Sequence, residues 1–224
     1  MVTVLIRTRG VSRARQENLD LKKVSRGDHL KLALKLLAAT VVALILGTGS
    51  ALLLIRSGGL GGDVAVGPWR TSTIIGSAEA DPYTRAMVAV AGLLALNRSE
   101  TIYFTAARDG TGERLRTNCT YKVAGTDPPA RWWSITLYAS DHYLMPNPED
   151  RYSYGGNTVA REDDGSFVIA VGPEKADGNW IPTGDGQTDD TFTLTLRLYN
   201  PEEAAARDPS GVVLPQIAKE ACPS

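Results

Sequence analysis

The groups with which this chain could do chemistry are few. Its histidines are His29 and His142. A Ser-His-Asp triad in the larger, C-terminal part would have to use His142, and no G-x-S-x-G turn nominates a serine. Asp141 and His142 are adjacent, and neighbours on a strand point to opposite faces. His142 therefore reads as an exposed loop imidazole. Paired carboxylates are more plentiful: Glu149/Asp150, Glu162/Asp163/Asp164, Asp189/Asp190 and Glu202/Glu203. Glycoside hydrolysis needs two carboxyl groups about 5–10 Å apart across a cleft, whereas acids in short polar runs favour turns. The stretch 185–190 (DGQTDD) lacks the full EF-hand pattern, and neither H-E-x-x-H nor C-x-x-C occurs. No catalytic residue, metal ligand or cofactor is assigned.

The stronger signal is aromatic and amide-rich. Flat rings stack on the C–H faces of sugars, and amides fix orientation. On that ground Trp132, Tyr143, Asn147, Arg151, Tyr152, Asn157, Asn179 and Trp180 are the candidate ligand-binding residues. Each has a structural competitor. One face of a sheet commonly buries such rings, Trp133 alternates with Ile135 and Leu137 as a core residue does, Arg151 suits an ion pair, and 179–182 (NWIP) suits a locked turn. Pro146 and Pro148 restrict the intervening loop, as a preorganised site or a rigid crossover requires.

What must position these groups is set first by charge. Residues 1–35 hold nine Lys and Arg against three acids, whereas residues 57–224 hold 14 against 22. Between them, residues 36–55 (LLAATVVALILGTGSALLLI) run 20 positions without a charge. A helix of that length spans roughly 30 Å, the thickness of a bilayer core. The cations before it predict a cytoplasmic N-terminus. A cleaved signal peptide would have a shorter positive region and an A-x-A site, but the chain continues Arg56-Ser57-Gly58-Gly59. The basic residues are not interleaved with aromatics, so orientation and anionic lipid account for them and nucleic acid is not a partner. Gly47 and Ala51 have the small-xxx-small spacing that can pair helices. The expected organisation is a basic cytoplasmic tail (1–35), a transmembrane anchor (36–56), a Gly-rich linker (57–62) and an extracytoplasmic domain (63–224). Cys119 and Cys222 both lie in that domain. An oxidising compartment would join them in a disulfide; two free buried thiols are the alternative.

Within the domain, Asp81 suits an N-cap and Pro82 a first helical position, and 83–96 predicts a helix packed on a sheet. From Thr101 the hydrophobic period becomes two. Leu115, Thr117, Cys119, Tyr121 and Val123 share one face; Trp133, Ile135, Leu137 and Ala139 share another. Residues 166–171 follow an Asp163-Asp164-Gly165 turn. In 191–199, Phe192, Leu194, Leu196 and Leu198 oppose Thr191, Thr193, Thr195, Arg197 and Tyr199. A short helical turn is expected after Pro201, then an extended 212–215. Short alternating strands between Gly, Pro and Asp turns predict a mainly β, antiparallel sandwich or jelly roll.

Five blocks in order, RWWSITLYASD (131–141), LMPNPEDRYSYG (144–155), DDGSFVIAVG (163–172), GNWIP (178–182) and FTLTLRLYNP (192–201), resemble the bacterial family called domain of unknown function 1214. Residues 80–115 look similar to the segment that opens the family's domain, so the resemblance covers about 80–201. Larger members join this domain to a second one, in whose place this chain has an anchor; smaller anchored members have a similar cysteine pair. The resemblance implies a jelly-roll β-sandwich and the bacterial envelope, and supplies no catalytic residues.

Three functions are compatible with these features. The first is a periplasmic domain, anchored in the inner membrane, that binds an envelope glycan, lipid or protein partner without catalysis. The second is a structural subunit of an inner-membrane complex, and the third an envelope hydrolase. The topology has its own test. A reporter that works only outside the cytoplasm, fused after Ser224, is expected to be active; a silent fusion would overturn the orientation.

Overall fold

The computed structural model describes residues 26–56, 63–90, 96–184 and 189–223. The chain divides into two units near Leu53/Leu54. Most of the basic tail, residues 57–62 and part of the 185–190 acidic stretch lie outside the described residues.

Among the described residues, the first unit consists of the helix α1 (Arg26–Arg56), whose last residues run past the division. It begins ten residues before the uncharged run, because Leu30, Ala33 and Leu34 continue a good helix-forming sequence. Its stretch Asp28–Leu54 is long and apolar enough to cross a membrane, and none of it is buried against protein. Leu53 is 72 % exposed. The hydroxyls of Thr40 and Ser50 donate to the carbonyls of Leu36 and Gly47 within the helix. Polar groups satisfied in this way are tolerated in hydrocarbon.

The second unit is mainly β. Its elements are β1 (Asp63–Val66), β2 (Trp69–Ser72), α2 (Pro82–Val90), β3 (Thr101–Ala106), β4 (Thr120–Gly125), β5 (Ala130–Ala139), β6 (Ser153–Gly155), β7 (Phe167–Gly172), β8 (Asn179–Pro182), β9 (Phe192–Pro201), α3 (Glu203–Arg207), a 3-10 turn (Pro209–Gly211) and β10 (Gln216–Ala221). Two sheets result. The six-stranded one has the order β1-β2-β3-β9-β5-β6, the four-stranded one β10-β4-β7-β8.

Apolar faces of both sheets supply one core. Phe104, Ile135, Leu194 and Leu196 from the first sheet and Tyr121, Val123, Ile169 and Val171 from the second are almost wholly buried. Rings cross between the sheets: Trp133 stacks on Phe167 at 4.8 Å, and Tyr121 meets Phe192 edge-on at 5.7 Å. The alternation of 115–123, 132–139 and 191–199 therefore has the faces that its period predicts, although β4 proper begins only at Thr120.

Three expectations need correction. The sheets are not wholly antiparallel, because β7 and β8 pair in parallel. Parallel neighbours normally need a crossover of a dozen or more residues. Here β8 has four residues, so the chain must retrace only about 13 Å, which residues 173–178 can span. The NWIP segment is thus a strand and not merely a turn. Second, α2 is not packed into the core. Thr84 is its buried residue, and Val90 is 69 % exposed. Asp81 caps it, accepting from the Tyr83 and Thr84 N–H groups; residues 91–95, over which the pattern extended it, lie outside the described residues. Third, three strands lacked a sequence signal. The β1–β2 hairpin turns at Gly67, whose φ of 58° suits glycine, and four-residue strands are too short to show a period. The edge strand β10 buries only Ile217.

Cys119 and Cys222 are joined in a disulfide, 103 residues apart in sequence. It ties the end of β10 to the residue before β4, its neighbour in the sheet. Closing a loop of this length stabilises by about 2–4 kcal/mol. The double variant C119S/C222S is expected to lose a comparable amount in denaturant unfolding followed by tryptophan fluorescence. An unchanged midpoint would show that the bridge does not constrain the unfolded chain.

Candidate functional site

The long pairing of β5 with β9, flanked by β3 and β6, builds a second face on the six-stranded sheet, pointing away from the core. Residues directly opposite in register share a face. One outward row is Tyr103, Arg197, Ser134 and Gly155; the next is Thr105, Thr195, Thr136 and Ser153; on the other side lie Thr101, Tyr199 and Trp132. Hydroxyls, rings and one guanidinium therefore cover this face.

Trp132 is 39 % exposed, high for so large a ring on a central strand. Its indole is placed by three contacts. Tyr199 packs beside it at 4.9 Å between centroids, and its Nε1 donates to Asn157 Oδ1 at 3.0 Å. The ring reaches over Gly155: a Cβ there would lie 2.8 Å from Trp132 Cζ2 and 3.0 Å from the Trp133 carbonyl oxygen. Glycine at 155 is what lets the indole lie across the neighbouring strand.

Arg197 is half-buried. Its guanidinium carbon lies 5.8 Å from the Tyr103 ring and 5.4 Å from the Tyr138 ring. Nη2 donates to the Tyr138 hydroxyl at 2.7 Å and Nη1 to Thr136 Oγ1 at 3.3 Å. Among the described residues no carboxylate forms an ion pair with it. Side chains lying across the threonine row explain why Thr136 and Thr195 are buried although they face outward.

The eight residues nominated from sequence fall into three places. Trp132 and Asn157 meet on the face just described. Tyr143, Asn147, Arg151 and Tyr152 belong to the loop between β5 and β6. Asn147 staples that loop, accepting from the Glu149 and Arg151 N–H groups and donating to the Met145 and Arg151 carbonyls. Arg151 covers the Tyr154 ring at 5.0 Å, Tyr152 donates to Asp150 at 3.0 Å, and Tyr143 is 75 % exposed. Asn179 and Trp180 are buried. Asn179 accepts from the Ala160 N–H and donates to the Ala160 and Val168 carbonyls; Trp180 Nε1 donates to the Gly172 carbonyl. Their polar groups are consumed in holding β8 to its surroundings. Conversely, Tyr103, Arg197 and Tyr199 fall outside the set that sequence points to. The available signal was an arginine and a tyrosine on the polar side of a threonine-rich strand.

Concave regions elsewhere on the domain include two lined in part by polar or charged side chains. A cleft of about 440 Å³ adjoins the disulfide, lined by Arg116, Tyr121 and Lys219 among others. Arg108 and Arg114 also line it, and two of its cations, Arg116 and Lys219, have acid partners. Arg116 pairs with Asp189 at 2.6 Å, which raises the guanidinium above its ordinary pKa, and a hydrogen bond to Glu113 raises Lys219. Burial pushes the Tyr121 hydroxyl up. Burial also pushes the nearby Asp109 carboxyl up, but hydrogen bonds from Thr111 and from the Thr111 and Glu113 N–H groups outweigh it and hold the group below its ordinary range. A second hollow of about 310 Å³ lies between Thr117, Met145, Pro146, Thr183 and Asp190. His142 sits exposed in a turn at φ 70°. Of the paired acids, Glu149 bonds Lys175 at 3.0 Å and Asp164 accepts from the Ser166 N–H in the turn before β7.

These features define a class: a β domain of two sheets around one core, with a polar and aromatic outer sheet face, on a chain carrying an apolar helix of spanning length. Residues 100–203 match the family model described as Protein of unknown function (DUF1214), and that stretch of the domain is similar to the family. The crystal structure of the VPA0106 protein from Vibrio parahaemolyticus is similar, with a TM-score of 0.52 at 22 % identity, over 64 % of this chain and 36 % of that one. An uncharacterised protein from Burkholderia cenocepacia gives a TM-score of 0.36 at 18 % identity, over 56 % and 31 % of the two chains. The first likeness concerns the fold alone. This chain spans about a third of the length of either protein. No curated protein matches it.

The Trp132 geometry is directly testable. Gly155→Ala places a methyl group against both the indole and a backbone oxygen, and overpacking of this kind costs about 1–3 kcal/mol. The variant is expected to show lowered stability and a shifted tryptophan emission. Unchanged spectra would mean that the ring does not lie over Gly155.

Proposed function

We propose that this protein is anchored in a bacterial inner membrane by α1, with its β domain on the periplasmic side, and that the outer face of the six-stranded sheet binds an envelope saccharide without chemical turnover. The observation that carries this reading is Trp132, a large ring held at the surface by Tyr199, Asn157 and the missing side chain of Gly155. Ordinary burial would have removed such a ring from water. Hydroxyls of Tyr138 and Tyr199 stand on the same face, where they supply the donors and acceptors a sugar needs.

The compartment is supported by the basic residues before α1, the apolar length of α1 and the disulfide, which persists in oxidising surroundings. The two apolar faces meeting in one core support the finer reading of the fold as a β-sandwich of jelly-roll type. Tethering suits a binding domain, since confinement raises local concentration without strong affinity. Hydrolysis through His142 finds no support in its exposed turn.

The test is binding of the full chain, in detergent, to immobilised bacterial envelope saccharides. Trp132→Ala is expected to weaken binding at least tenfold, or about 1.4 kcal/mol, as loss of an aromatic anchor does. Tyr143→Ala, in the separate loop, is expected to leave it unchanged. Retained binding in Trp132→Ala would remove this face as the site.

A further inference from the structure

We infer that the saccharide taken by this face carries a carboxylate and that Arg197 is the residue that reads it; the inference rests on the saccharide reading above. A guanidinium has five N–H donors and no acceptor. Two of its nitrogens donate, to Thr136 Oγ1 and the Tyr138 hydroxyl, which leaves further N–H groups for a ligand.

The rings of Tyr103 and Tyr138, 5.8 and 5.4 Å from the guanidinium carbon, and the hydrogen bonds to Thr136 and Tyr138 hold the cation in place. They fix its plane before any ligand arrives, so little freedom is lost on binding. Its partial burial strengthens its attraction for an added anion. A planar fork held in this way matches a carboxylate by two parallel hydrogen bonds. Many other cations of the domain are exposed or paired, as in Arg161 with Asp127 at 2.7 Å and Lys175 with Glu149 at 3.0 Å. Arg197 combines partial burial with the absence of an ion-paired acid among the described residues.

Geometry joins the cation to the indole. Trp132 leans towards Gly155, in the row of Ser134, while the Arg197 head reaches Thr136, in the next row. Successive rows on one face are about 7 Å apart. A sugar ring on the indole and an acid group on Arg197 therefore fit within one oligosaccharide. The rest of the domain works against an acidic ligand, with 22 Asp and Glu to 14 Lys and Arg in residues 57–224. Preference for the acid must then come from Arg197 itself.

The experiment measures binding of the full chain in detergent to a panel of uronate-containing oligosaccharides, each paired with its methyl ester, together with phosphorylated sugars. The ester keeps the rings and removes the charge. At least one uronate is expected to bind tenfold or more tighter than its ester, a difference of about 1.4 kcal/mol. Arg197→Gln is expected to abolish that preference, so that acid and ester bind alike. Tyr138→Phe, which removes one anchor of the guanidinium, is expected to cause a smaller loss and covers the case in which Arg197→Gln fails to fold. Equal affinity for acid and ester, or preference surviving in a folded Arg197→Gln, would overturn the inference and leave the saccharide reading standing. Preference for phosphorylated sugars alone would overturn the carboxylate assignment. Binding of no saccharide at all would overturn both.

Discussion

The antiparallel pairing of Ala130–Ala139 with Phe192–Pro201, running in register from Ala130↔Pro201 to Ala139↔Phe192, is the constraint on which the rest of the domain depends. Side chains on paired strands alternate between two faces, so one register decides two surfaces together. Inward it aligns Trp133 with Leu198, Ile135 with Leu196 and Leu137 with Leu194, the centre of the core. Outward it aligns Trp132 with Tyr199 and Ser134 with Arg197. A slip of one residue would bury Arg197 and expose the leucines, which the cost of an uncompensated buried charge forbids. The core thus holds the outer face in place although the two share no side chain.

Around that pair the domain is closed by interactions of a different kind. The four-stranded sheet meets the six-stranded one through rings, Trp133 on Phe167 and Tyr121 on Phe192. Its two edge strands are each fastened by a further contact. β10 contributes only Ile217 to the core and is fastened by the disulfide. β8, at the opposite edge, is fastened by Asn179, whose amide satisfies three backbone groups of the neighbouring segments. Buried backbone groups left unpaired would each cost more than such a bond returns. An amide that sequence pattern assigns to ligand binding is therefore engaged in architecture.

Electrostatics separates the outer face from the cleft beside the disulfide. Exposed ion pairs contribute little to stability, but they settle which charges are already answered. In the cleft beside the disulfide, Arg116 and Lys219 are answered by Asp189 and Glu113. On the sheet face the answer to Arg197 is two rings and two hydroxyls, all neutral. A cation stabilised by polarizable, uncharged neighbours keeps its field, and that field is what a ligand would meet.

Alternation with period two was enough to assign the buried face of β4, β5 and β9, and the run 36–55 was enough to identify a helix of spanning length, because both patterns are local and hydrophobic burial enforces them. The same locality made Trp132 and Asn157 visible as candidates. Other features depended on which segments became neighbours. The row Tyr103–Arg197–Ser134–Gly155 unites four strands separated by up to about a hundred residues, and no spacing along the chain encodes it. The parallel β8, the β1–β2 hairpin and β10 were equally silent, since strands of four residues or with one buried side chain have no measurable period. Asn179 and Trp180 carry the residue types of a binding site, yet tertiary structure spends their polar groups on backbone partners. Composition sets what a side chain could do; long-range packing decides whether its donors and acceptors are already used.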